Sequence, residues 1–520
     1  MKKKHFLLIL LISISTSSLC QVNKDSSAKK AAIAKNKNMF GIGMPRGLTI
    51  TSDGLTDGYI LYAVPNSAYM YLINRKGEVV HEWKGNYGIL GAYLQDDGSI
   101  IANSKDLDFP VFVDPGETGR LQKISWDSKM LWDFEYANET EHIHHDFTVM
   151  PNGHILTIAF EAKSPDEVMA AGRAPNKTPK AGLWPDKIVE IEPVGKTGGK
   201  VVWEWHSWDH MIQDYDSKKA NYGKPSIHPE LVDLNIGDTI PPPISEDSMD
   251  ILRASGEWMP MNVTPENMYS DLYHTNAISY NVDLDQIAFS NHNLNEIFII
   301  DHSTTTKEAV SHKGGRYGKG GDYLYRWGNP QNYRHGDFWK EQLFGQHHVH
   351  WIEKGKPGAG DLMLFNNNVI NWNDSTNCSA IFELSPLTDK KGNYLLETDT
   401  TFGPAKPMVL YIAPDSLSFY SGFIGGAEKM ENGNTFINEG ARGRFFEVTK
   451  EGKIVWEFLN PYHGDIRKPN GDLIPPVPLT YITFRATFVP SDHLGLINKN
   501  LQPLNPQPAV FVMPSQGDNK

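Results

Sequence analysis

One short unit recurs along this chain and narrows the folds open to it: a turn, two or three apolar residues, then aromatic–charged–aromatic. It reads GEVVHEW (Gly77–Trp83), SKMLWDF (Ser128–Phe134), GKVVWEW (Gly199–Trp205), GDYLYRW (Gly321–Trp327) and GKIVWEF (Gly452–Phe458), with a weaker copy, KPMVLYI, at Lys406–Ile412. A second unit alternates with it, an NG- or DG-type turn leading into an apolar strand. Its copies are QDDGSIIA (Gln95–Ala102), MPNGHILTI (Met150–Ile158), NVDLDQIAF (Asn281–Phe289), GAGDLMLF (Gly358–Phe365) and MENGNTFI (Met430–Ile437). Third strands of the type IVEIEP, IFIIDH, IFELSP and FFEVTK link the two. Short β runs ending in turn residues, with few long helical patterns, specify an all-β chain. Modules at irregular multiples of about 45 residues are the signature of a β-propeller carrying long loop insertions. Counting them predicts six blades, the last closed by N-terminal strands over Gly58–Trp83 pairing with a C-terminal strand near Phe484–Pro490. A pair of β-sandwiches also has regular short strands, but it lacks this repeated ending.

The N-terminus reads differently. Lys2, Lys3 and Lys4 precede an apolar run from Phe6 to Ile14, followed by small residues Ser15 to Ser18. That is the layout of a secretory signal peptide over residues 1–20, and the run is too short to span a bilayer. Cleavage after Cys20 is the expectation. Lipidation at Cys20 is the alternative, though Leu19 stands where a lipoprotein signal wants a small residue. Residues 21–38 are polar and read as a tether, and 39–520 as the propeller domain. The expected location is therefore periplasmic or secreted, with no transmembrane segment. Export would leave Cys378 as the one cysteine, so no intramolecular disulfide is expected.

Composition excludes several classes. The chain carries 62 Asp+Glu against 49 Lys+Arg, which argues against a nucleic-acid partner that needs a basic face. Its 2 cysteines rule out a disulfide scaffold and a Cys-based zinc site. No GxxxxGK[ST] phosphate loop is present, GGRYGKGG at Gly314–Gly321 being the nearest miss, and no GxSxG elbow. The surplus is histidine, 19 in an acidic chain.

Those histidines align with the repeat. In HIHHDFTVMPNG, His145 stands seven residues before the turn residue Asn152, and in YHTNAISYNVD His274 stands seven before Asn281. GQHHVHWIEKGKPGAGD places His347 at the start of the matching strand in the fourth blade. First strands line a propeller's central channel, so the three rings should converge there. Alternation along a strand should send His144 and His348 to the other face. His292 ends the second strand of the third blade in SNHN. Converging imidazoles can bind a metal or act as nucleophile and acid. HIHHD nearly matches an HxHxDH zinc-hydrolase signature, but Phe147 occupies the last His position and the βαβ setting is missing.

The stretches HHDFTVMPNGHIL, YHTNAISYNVDLDQIAFSNHNLNEIFIID, FGQHH and NGNTFINEGARGRFFEVTKEGKIVWEF resemble the bacterial arylsulfate sulfotransferases over about residues 67–490. The resemblance implies an exported six-bladed propeller that moves a sulfuryl group from a phenolic sulfate ester to a phenol. It implies transfer through a sulfated histidine, without phosphoadenosine phosphosulfate, any other cofactor or a metal. The nucleophile then falls on His347, with His274 and Asn276 in the HxN motif (here DLYHTN) and His145 in the HHD motif. The family keeps an arginine eighteen residues after the HxN histidine, and here that position is His292. A ring whose charge depends on pH replaces a permanent cation. Arg485, in TFRATFVP, and Arg442 or Arg444, in ARGR, are the candidates to bind the sulfonate instead.

Two other readings stay open on the same scaffold, a sulfate-ester hydrolase and a non-catalytic propeller holding an anionic aromatic or sugar ligand. The natural donor and acceptor and the oligomeric state, a homodimer included, are not readable from the sequence. Inserts over 162–185 and 206–270 are expected to leave the rim that carries the histidines and to cover the channel.

Overall fold

The computed structural model describes residues 40–510 apart from 42, 66, 107–111, 113–115, 243, 246, 250–263, 372–375, 397–400, 415–417 and 464–480. The signal peptide, the tether and Cys20 lie outside these residues. Six antiparallel four-stranded sheets succeed one another as blades. Blade 1 runs from Ile89–Leu94 to Met130–Glu135, and blade 2 from Glu141–Val149 to Gly198–His206. Blade 3 runs from Thr275–Asn281 to Tyr325–Trp327, and blade 4 from His347–Trp351 to Met408–Ile412. Blade 5 runs from Gly426–Lys429 to Ile454–Leu459, with Gly47–Thr51 added on its outer edge. Blade 6 joins the chain ends: Ala486–Pro490 pairs with Gly58–Ala63, Gly58 facing Pro490 and Tyr62 facing Ala486. The six blades and their closure are as the repeat predicts.

In four blades a tryptophan of the repeat latches onto the next blade, Trp132 and Trp456 from the first aromatic position and Trp205 and Trp327 from the second. Trp132 of blade 1 donates its indole N–H to Gly198 O of blade 2 at 2.7 Å. Trp205 donates to Gly321 O at 2.7 Å, Trp327 to Pro404 O at 2.7 Å and Trp456 to Arg75 O at 2.8 Å, in each case toward the following blade. Each indole thus buries a large apolar face between two sheets while its one polar atom stays satisfied. The core follows the same logic and lies between blades, as where Leu156, Ile158 and Trp205 of blade 2 meet Ile278, Phe289 and Phe298 of blade 3.

Asparagines on second strands make a second set of clips near the axis. Asn103 Nδ2 donates to His145 O at 2.7 Å, Asn367 Nδ2 to Ser421 O and Ile424 O, and Asn438 Nδ2 to Thr483 O and Phe484 O. Buried amides with both ends satisfied fix the mouths of the inner strands relative to one another.

The inserts pack at the end where inner strands begin. A short helix, Pro165–Ala170, is capped by Ser164 and Glu167 in a reciprocal box. Its Val168 joins Leu183, Leu234 and Tyr273 in the blade 2–blade 3 core. Trp184 bridges to Asp271, and Arg173 donates to Leu234 O, so the two inserts fold on each other beside blade 3's inner strand. Among the described residues no helix is long and apolar enough to cross a membrane.

Candidate active site

The inner strands do not run regularly into the channel; they bulge there. His144 pairs with Ile158 and Phe147 with Thr157, leaving His145 and Asp146 as the extra residues. Left-handed backbone at non-glycine residues marks these bulges: φ is +56° at His145, +53° at His274 and +57° at His348. Such conformations cost roughly 1–3 kcal/mol each and persist only where surrounding structure imposes them.

This geometry corrects the simple register. His145 and His274 carry the left-handed turn, but in blade 4 the turn falls on His348, and His347 reaches the centre from the residue before it. Alternation also fails at the bulge, because His144 and His145 bring their Nδ1 atoms to 2.7 Å. The convergence itself is real. Ring centroids are 4.4 Å apart for His145–His274, 5.3 Å for His274–His292 and 5.7 Å for His292–His347.

Hydrogen bonds assign the protons. His347 Nδ1 faces two acceptors, Gly345 O at 3.0 Å and Asn367 Oδ1 at 2.9 Å. Asn367 spends its amide hydrogens on Ser421 O and Ile424 O, so its oxygen is the atom turned to the ring. Nδ1 therefore carries the hydrogen and Nε2 the lone pair. Burial, then His292 and Arg485, hold the His347 imidazolium well below the ordinary histidine range, so the ring is neutral.

His274 is held differently. Its Nδ1 donates to Asp271 Oδ2 at 2.6 Å, while its backbone N–H donates to Asp271 Oδ1. The carboxylate on Nδ1 orients the ring and fixes which nitrogen faces Asp271. His292 donates its Nδ1–H to Asn293 Oδ1 at 3.0 Å, and burial and His274 push its pKa down to about 4. His145 ends a relay in which Asp186 Oδ1 lies 3.2 Å from His144 Nε2 and His144 Nδ1 meets His145 Nδ1. Burial and then the His274 imidazole keep His145 well below its ordinary range. Gly116, at φ +98°, passes directly over it, and a Cβ there would stand 2.2 Å from His145 Nε2.

Arg485 supplies the fixed positive charge. From the start of blade 6 it donates to Gly425 O of blade 5 at 2.8 Å, to Asn276 O of blade 3 at 3.0 Å and to Asp146 Oδ2 of blade 2 at 3.0 Å. Its Nε is buried with no hydrogen-bond partner. Asp146 is held in turn by the Tyr93 hydroxyl at 2.7 Å. Asn276 donates to Gln346 O at 2.8 Å, directly before His347, and its Oδ1 is buried without a partner.

The remaining arginines sit elsewhere. Arg444, on the third strand of blade 5, pairs with Glu439 and Glu457, and Arg442 pairs with Glu439 at 2.8 Å. Of the three arginine candidates, it is the charge of Arg485 that helps hold the His347 ring neutral. Sequence reasoning assigned no role to three partners: Asp271 and Asp146 stood in view as the acids of the DxxH and HHD motifs, whereas Asn367, in the run FNNN, carried no signal.

The Arylsulfotransferase (ASST) family model matches residues 53–463. No curated protein matches the chain. Among solved structures, the chain is similar to a protein of unknown function from Bacteroides caccae, with 11% identity and TM-score 0.38 over 78% of this chain and 94% of that one. It is also similar to a streptogramin B lyase, with 9% identity and TM-score 0.35 over 85% of this chain and 97% of that one.

Proposed function

The chain belongs to the arylsulfotransferase family, and on that premise we propose that it carries a sulfuryl group from a phenolic sulfate ester to a phenol through a sulfohistidine at His347, without a nucleotide donor. The carrying observation is the pinned His347 ring, with Nδ1–H on Gly345 O and Asn367 Oδ1 and a neutral lone pair at Nε2. A neutral, oriented imidazole is the state a nucleophile needs.

In the first half-reaction His347 Nε2 bonds to sulfur as the sulfur–phenolate oxygen bond breaks. A phenol has a pKa near 10, so the leaving oxygen needs a proton, and His274, oriented by Asp271, is the group that donates it. In the second half-reaction the acceptor phenol returns a proton to His274 and its oxygen takes the sulfuryl group, restoring His347. Arg485 and Asn276 stand where sulfonate oxygens gain charge in flight, and the partnerless Nε of Arg485 is a donor available to them. His145 and His292 complete the wall as neutral rings. We assign Arg485 the role that the family's arginine plays at the position held here by His292. Export through residues 1–20 places the enzyme in the periplasm or outside the cell, where a nucleotide donor is not dependable.

Turnover of p-nitrophenyl sulfate with and without added phenol tests this reading. Phenol should accelerate nitrophenol release and appear as phenyl sulfate. Release indifferent to phenol would make the protein a hydrolase, and no release would leave it a binding propeller.

A further inference from the structure

The glycine-rich stretch GGRYGKGG at Gly314–Gly321 has no part in the histidine channel, yet it builds something specific. It closes a compact loop on the outside of blade 3. Gly320 N donates to Gly314 O at 3.0 Å and Gly321 N to Ser311 O at 2.9 Å, so the loop's ends meet. The residues flanking those ends are His312 and Asp322. Gly321 lets the loop press onto the neighbouring insert, since a Cβ there would lie 2.0 Å from Ala309 O and 2.5 Å from His210 Nε2. The loop is thus shaped to bring His312 and Asp322 against His210.

We propose that His210, His312 and Asp322 form a zinc-type divalent-cation site, distinct from the sulfuryl-transfer centre. The ligand atoms of the three residues all lie within 4.8 Å of one another. One carboxylate oxygen, Asp322 Oδ1, is faced by both rings, at 2.8 Å from His210 Nδ1 and 2.7 Å from His312 Nδ1. The buried ring of His210 also has its other nitrogen on an acceptor, Ala309 O at 2.7 Å. A carbonyl can only accept, so Nε2 bears the hydrogen and Nδ1 is the atom turned to the carboxylate.

The contact of Nε2 with Ala309 O is the usual second shell of a bound cation, in which a ligating histidine donates its other N–H to a backbone carbonyl. His210 is further locked by stacking parallel on Trp205, with centroids 5.6 Å apart. His312 is exposed, its side chain 58% accessible, and gives the ion a way in. Two imidazoles and one carboxylate make a three-ligand set with a fourth tetrahedral position for water. Bonds of about 2.0–2.2 Å at tetrahedral angles need the ligand atoms to separate slightly from their present contacts, a shift made by the exposed His312 and by the Asp322 carboxylate relative to the locked His210 ring. The absence of metal expected from the sequence is revised to this extent. The function we assign is to clasp the insert before blade 3 to that blade's last turn.

The test uses the full chain without an added histidine tag, stripped with a chelator and titrated with Zn2+ by calorimetry and with Co2+ by absorption. The wild type should bind one equivalent tightly, show ligand-field bands with Co2+, and melt at a higher temperature with Zn2+. His312→Ala, at an exposed position, should weaken that equivalent about tenfold or more, Asp322→Asn likewise, and His312→Ala should keep phenol-dependent sulfuryl transfer. Absence of a tight equivalent in the wild type, or its retention in both variants, would overturn the proposal.

Discussion

Arg485 Nη2 lies 3.0 Å from Asp146 Oδ2, an ion pair that runs across the channel from blade 6 to blade 2 with both side chains buried. The same guanidinium reaches blades 3 and 5, so one side chain serves both closure of the propeller and charge at the site.

Arg485→Met should therefore show two separable losses. Leaving Asp146 buried and unpaired should cost about 3–5 kcal/mol of stability, and loss of charge at the sulfonate should lower turnover about 10²–10³-fold. Adding Asp146→Asn should restore much of the melting temperature and none of the turnover. Recovery of activity in the double variant would assign Arg485 to structure alone.

Asp271→Asn keeps the shape beside His274 but offers that ring no carboxylate. The acid step should slow about 10³–10⁴-fold for an unactivated aryl sulfate. A donor whose phenol is already acidic, such as p-nitrophenyl sulfate, should be far less affected, because its leaving group needs little protonation. Equal losses on both donors would show that His274 is not the acid.

The histidine cluster also makes stability pH-dependent with a defined sign. His292 is held at about 4 in the fold against about 6.5 when unfolded, so between those values the unfolded chain binds the extra proton. Its contribution is complete above pH 6.5 and is lost as pH falls toward 4. His302, raised by Glu190 and Asp285, acts oppositely, and its contribution fades as pH rises through its folded value. Melting temperatures at pH 5 and pH 7.5 should thus differ less in His292→Gln than in the wild type. An unchanged difference would mean that His292 is not neutralised in the fold.

The interblade latch predicts a graded series. Trp456→Phe, which removes the N–H given to Arg75 O, should cost about 1 kcal/mol, and Trp456→Ala about 3–5 kcal/mol. Both should lower the unfolding midpoint without changing KM. A KM change in Trp456→Phe would argue that blade 5 is not rigid relative to the channel.

These relationships differ in how far the sequence disclosed them. The recurring aromatics were legible but the latch was not, because the indole that reaches the next blade stands four residues past the start of the unit in Trp132 and Trp456 and six past it in Trp205 and Trp327; blade closure was legible because Gly58–Trp83 lacked an inner strand that Phe484–Pro490 could provide. The gathering of His145, His274 and His347 was legible from repeat phase, and His292 from its place eighteen residues after His274 in the family resemblance. What phase could not show is backbone conformation. A bulge adds one residue without a sequence mark, so the step from His347 to His348 in blade 4 and the His144–His145 contact were misread from strand alternation. Asn367 was equally hidden, since its role depends on a neighbouring blade and not on its own surroundings in the chain.

The most direct test of the account is intact-mass analysis after a brief, acceptor-free exposure to p-nitrophenyl sulfate. The protein should gain the mass of one sulfuryl group, peptide mapping should place it on His347, and added phenol should discharge it. His347→Asn should gain nothing. An adduct on another residue, or full phenol-dependent turnover in His347→Asn, would contradict the account.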